Sequence, residues 1–205
     1  MNLTELKLNK INITVVFNKL DKDLIRRDFI KRSFEGTEVI ITDLSDVLLV
    51  ILPKLQTQIV FEGRRLLVDF PGKDIEKAAD YLAKTCTNLI RATQEAPIEA
   101  YGINLDGNSV TNDTDVNNHL LDVCYAGGTK LKSAIGADII SVAPSFSFFK
   151  HNALFNLALK PARDNHKCID FHCNIHFNAI VPEEKTVRQQ VLDYLEYFRE
   201  IMVML

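Results

Sequence analysis

The stretch Cys168 to Ile180 constrains this chain most, because its two faces can be told apart residue by residue. Ile169, Phe171, Cys173, Ile175, Phe177 and Ala179 fall on one side; Cys168, Asp170, His172, Asn174, His176 and Asn178 fall on the other. Successive side chains of a strand point to opposite faces, so alternation of this length specifies a strand with one buried and one polar face. That polar face holds most of the residues with chemical potential.

Other segments carry equally local signals. Ile11, Ile13, Val15 and Phe17 alternate with polar positions in a first strand, while Leu6 and Leu8 lie in the opposite phase, which a bulge near Asn9 and Lys10 reconciles. Asp21 to Phe34 has helical spacing, with Asp21 as N-cap and Gly36 as stop. Short strands are expected at Glu38–Thr42, Val47–Leu52, Gln58–Phe61 and Arg65–Phe70, joined by connections too short for crossovers and hence antiparallel. Asp74 to Arg91 is the clearest amphipathic helix, with Ile75, Ala78, Ala79, Leu82, Cys86, Leu89 and Ile90 in one stripe.

After Pro97 a similar order recurs. Glu99 to Leu105 reads as a strand, Asp106-Gly107 as a turn and Val116 to Tyr125 as a helix. Strands are expected over Ile139–Phe149, Leu154–Lys160 and Cys168–Ile180, with a turn at His151-Asn152, before a last helix opened by Pro182 and Glu183. The fold class is therefore α+β: antiparallel sheet packed on long helices, with residues 1–96 and 97–205 as two halves sharing one core or sheet. The element order suggests tandem duplication, although no residue-level repeat accompanies it. It resembles the TBP-like and helix-grip arrangements, in which a curved antiparallel sheet wraps a long C-terminal helix; the resemblance is topological and transfers no function.

With 205 residues there is enough chain for a sizeable core. A formal net charge of −3 and a pI near 6.0 argue against a dedicated nucleic-acid binder, which needs a basic surface. No apolar run approaches the roughly 20 residues that cross a bilayer, and Met1 to Lys10 lacks the apolar centre of a signal peptide. The expected location is the cytoplasm. Cys86, Cys124, Cys168 and Cys173 form no CxxC pair and are expected to be reduced.

Several constellations are candidates for chemistry. Asp170 and His172 are two apart on one strand face, about 6.5–7 Å, close enough to converge on a metal or substrate. His172 and His176 are about 13 Å apart, too far to share one ion on a straight strand. His166 and His151 in neighbouring loops are further metal candidates, while Ser145 and Ser147 lack any nucleophile elbow. Asp170, His172 and His176 are thus the catalytic candidates, set against an ordinary solvated sheet face. Tyr125 to Lys130 is a Gly-rich turn without P-loop spacing. Arg26, Arg27, Lys31 and Arg32, with Lys22, form a basic cluster interspersed with acidic residues, and Arg64-Arg65 sits at a hairpin tip. At the apolar C-terminus, Met202, Met204 and Leu205 are either clamped in the fold or form an association surface.

No cofactor fingerprint is present. The expectation is a non-enzymatic binding or assembly protein, using its broad sheet for protein partners or self-association, with no nucleic-acid or membrane partner. The alternatives are a small-molecule or hydrolytic enzyme using the Asp170, His172 and His176 face, and a carrier holding an apolar ligand among Phe146, Phe148, Phe155, Phe171 and Phe177.

Overall fold

A computed structural model describes residues 3–72, 74–94, 96–111, 115–125, 133–136 and 139–204. Its centre is a pair of long strands, β1 (Leu3–Phe17) and β6 (Ile98–Thr111), which run antiparallel along nearly their whole lengths. On the β1 side lie β5 (Arg65–Pro71), β4 (Thr57–Glu62), β3 (Val47–Leu52) and β2 (Ile40–Asp43). On the β6 side lie β9 (Asn165–Phe177), β8 (Ala153–Ala162) and β7 (Ser145–Lys150). The nine strands form one antiparallel sheet in the order β2-β3-β4-β5-β1-β6-β9-β8-β7.

Among the described residues the long helices lie on one face of the sheet, where the strands present apolar rows. Ile11, Ile13 and Val15 of β1, Tyr101, Ile103 and Leu105 of β6, and Ile169, Phe171, Cys173 and Ile175 of β9 are all buried. Against this face lie α2 (Ile75–Ala92) and α4 (Glu184–Met204), which also pack on each other, with Arg188 bonded to Asp80 between them. Ala78, Ala79, Leu82, Cys86 and Leu89 of α2 and Val187, Val191, Leu195, Phe198 and Met202 of α4 have almost no exposed surface. Each large side chain buried in this way contributes roughly 1.5–3 kcal/mol. The Asp74 carboxylate caps α2 by accepting from Lys77 N. Two smaller helices, α1 (Arg27–Ser33) and α3 (Val116–Cys124), follow β1 and β6 in the chain.

The phase change near the start of β1 is a bulge: the register against β6 shifts between Leu8 and Lys10, leaving Asn9 as the additional residue. The β7–β8 hairpin turns at His151 and Asn152, with φ of 49° and 63°, the left-handed pair that a two-residue hairpin turn requires.

Three expectations are corrected. Asp106-Gly107 is no turn, and β6 runs through it to Thr111. Glycine is needed there for close approach, since a Cβ would stand 2.3 Å from Lys7 O and 2.5 Å from Phe171 Cζ. The helix foreseen from Asp21 to Phe34 is divided into a single 3-10 turn, Lys22–Leu24, and α1, because Ile25 and Arg26 are extended. Arg26 N donates instead to Ala92 O at the end of α2, at 3.0 Å. The strand foreseen from Ile139 begins only at Ser145, after Pro144, and Ile140 is 92% exposed. The Gly-rich stretch 126–130 lies outside the described residues.

Candidate functional site

The face of the sheet away from the helices carries two kinds of surface. On its β1, β6, β9 and β8 strands the pairing register sets Asn12, Asn104, Asn174 and Asn156 opposite one another in a single row, continued by Ser147 on β7. Asn104 donates through Nδ2 to Asn12 Oδ1 at 2.7 Å, and its own Oδ1 accepts from Asn174 Nδ2 at 2.6 Å. Ser147 Oγ donates to Asn156 Oδ1 at 2.8 Å. Asn12 and Asn104 are buried by their neighbours, so these amide bonds satisfy groups that water barely reaches.

Next to this row, His172 Nδ1 lies 2.7 Å from Asp106 Oδ1, across the β6–β9 pairing. In a neutral imidazole, an acceptor carboxylate at Nδ1 favours the tautomer protonated there, with Nε2 as the acceptor. The pair opens into a cleft of about 420 Å³ lined also by Asn9, Ala143, Lys160 and Asp170. Lys160 and Asp170 sit opposite each other on β8 and β9. On the β1 side, Lys10 pairs with Asp69 at 2.8 Å; burial pushes the Asp69 carboxyl above its usual range, and its buried Oδ1 has no hydrogen-bond partner among the described residues.

The sequence candidates are thus distributed rather than convergent. Asp170 and His172 share the cleft, but His176 is bonded through Nε2 to Asn178 Oδ1 at 2.8 Å. His151 stands at the β7–β8 turn and lines a separate groove with residues of α4. His166 lies with Asp115 and Arg163 at another groove. Among the described residues no three His, Cys, Asp or Glu side chains stand together as a metal site. Ser145 is in the cross-strand row of His172 but two strands away, about 9–10 Å, beyond hydrogen-bond reach.

The basic cluster is mostly paired within the chain. Lys22 and Arg27 both bond Asp43, holding its carboxyl below the usual range, and Arg26 and Arg32 both reach Asp28. Arg64 bonds Glu99 at 2.9 Å. At the C-terminus Met202 is buried on the helix side of the sheet, whereas the Met204 side chain and Leu205 lie outside the described residues.

The other half of the open face carries an apolar row bordered by Thr42, Gln58, Glu62 and Arg65. Leu49, Val60 and Leu67 form one cross-strand row over β3, β4 and β5, flanked by Val47, Ile51 and Ile40. These side chains are half-buried by one another, with Ile40 43% exposed. A signal for this patch was present in the residues: Val47 to Leu52 is apolar at every position, the pattern of a strand covered on both faces. Among the described residues only its helix face is covered.

Comparison with the sequence patterns of known protein families and with curated proteins yields no match for this chain.

Proposed function

We propose that this chain is a non-enzymatic binding protein that presents the open face of its sheet to a protein partner. The observation that carries this reading is β3, apolar on both faces but covered on one. Val47, Leu49 and Ile51, with Val60 and Leu67 beside them, offer an apolar centre, and the amide row and the Asp106–His172 pair offer a polar border. An apolar centre with a polar rim is the usual anatomy of a protein interface. The four cysteines are unpaired, which suits a reducing, cytoplasmic setting. No helix among the described residues is long and apolar enough to cross a membrane.

A photo-activated cross-linking residue at Val60 tests the reading, with the same residue at exposed Glu196 on α4 as the comparison. A discrete protein adduct at Val60, lost on Leu49→Asp without change in melting temperature, is expected. Equal adducts at both positions, or none at Val60, would sink the proposal.

A second reading rests on the Asp106–His172 hydrogen bond in its cleft. With Asp106 holding Nδ1, the Nε2 atom of His172 is suited to accept a proton from a small polar substrate, with Lys160 and Asp170 to orient it. An enzyme of this kind loses its turnover on His172→Ala while keeping its fold. For an apolar-ligand carrier there is less support, because aromatic contacts fill the layer: Phe155 packs on Tyr194 and Tyr197, Phe171 on Phe198, and Phe177 on Tyr101.

A further inference from the structure

The two edges of the sheet differ in how they are protected. The β2 edge is only Ile40–Asp43, and its last residue is tied down by Lys22 and Arg27; a short, charged edge discourages pairing. The β7 edge is Ser145-Phe-Ser-Phe-Phe-Lys150, uncharged until its final residue, and among the described residues it pairs only with β8. Phe149 is 77% exposed and Phe146 36%. An edge of this composition is a template for another strand.

Which backbone groups it offers follows from the pairing. Leu159 N donates to Pro144 O at 3.0 Å, so Pro144 opposes Leu159 as a hydrogen-bonded pair. Because such pairs alternate along an antiparallel ladder, Phe146, Phe148 and Lys150 turn their amides and carbonyls toward β8, and Ser145, Ser147 and Phe149 turn theirs outward.

The geometry points to a second copy of this chain as the occupant, its β7 added antiparallel to β7 across a two-fold axis at Ser147. Residues directly opposite in an antiparallel pair share a face, so only registers that match the alternation are allowed. With Ser147 opposite Ser147, each Phe146 faces a Phe148 of the other copy on the helix side, extending the stack of Phe148 on Phe155, whose ring centres are 5.0 Å apart. On the open side Ser145 faces Phe149. The Lys150 ammonium, 3.3 Å from the Tyr197 ring centre, stays outside the paired aromatic residues. Shifting the register by two residues, to put Phe148 opposite Phe148, sets Lys150 against Phe146 instead. The Ser147 register also carries the row from Asn12 through Asn156 to Ser147 continuously into the partner. This edge lies at the far end of the sheet from the Leu49, Val60 and Leu67 patch, so the inference stands apart from the partner proposed there.

Sedimentation velocity on the full chain, with Ser147→Asp and Ser147→Lys variants, tests it. Ser147 is exposed, so neither change touches the core. The parent chain is expected to be a dimer. Like charges placed opposite each other at the axis weaken each variant's self-association by at least about tenfold, and mixing the two variants restores a dimer. A parent chain that is monomeric overturns the inference, as does a dimer indifferent to either substitution or a mixture that stays monomeric.

Discussion

Asn104 is held from both sides, donating to Asn12 at 2.7 Å while accepting from Asn174 at 2.6 Å, so one side chain links three strands across the open face. Asn104→Ala removes both bonds and leaves the buried Asn12 carbonyl with only the long bond from Thr14 Oγ1, at 3.4 Å. A loss of about 1–3 kcal/mol in stability is expected from urea unfolding. Unchanged stability would mean that water replaces the amide at no cost.

Gly107 leaves less room for a side chain than Gly102 on the same strand. Gly107→Ala forces a methyl group against Lys7 O and the Phe171 ring, and because the first obstacle is backbone, the sheet itself must shift. A cost of about 3 kcal/mol or more is expected. Gly36→Ala meets nothing within 4 Å and pays only for its φ of +81°, about 1 kcal/mol. Thermal melting of the two variants side by side reads the difference, and equal losses would remove the steric explanation.

Asp69 sets a pH dependence of defined sign. Burial raises its carboxyl above the ordinary value of 3.8, with Lys10 only partly opposing the rise. The folded state thus holds this proton more tightly than the unfolded chain. Its favourable contribution is full below pH 3.8 and is lost as pH climbs through the raised value. Asp69→Asn, which carries no charge to bury, is expected to be the more stable protein at pH 7. Melting curves from pH 3 to pH 7 should show that advantage shrinking toward the acid end; an advantage independent of pH would contradict the assignment.

The four thiols divide by burial. Cys86 and Cys173 are buried and pushed up to about 12 by desolvation, whereas Cys124 and Cys168 are only half-buried. Since the thiolate is the reactive form, alkylation of the native protein at pH 8 is expected to label Cys124 and Cys168 and to reach Cys86 and Cys173 only after unfolding. Peptide mass mapping over time checks the order.

Much of the fold was written in local periodicity. The alternation of Ile11 to Phe17 and of Cys168 to Ile180 marked two strands, the second ending in the structure at Phe177, and the stripe of Ile75 to Ile90 marked α2, because burial on one face repeats at the spacing of the element itself. Even the bulge at Asn9 left its trace as a change of phase between Leu8 and Ile11. What the residues could not reveal was adjacency. Asn12 meets Asn104 across 92 positions and Asn104 meets Asn174 across 70, while Asp106, read locally as part of a turn, meets His172 across 66. Those encounters depend on β1 lying between β5 and β6, and β9 on the far side of β6, an order that chain-distant backbone pairing selects and no short pattern encodes. The sequence by itself determined which surfaces must be buried; the tertiary structure decided which polar side chains stand together, because register, set by the whole sheet, fixes who faces whom.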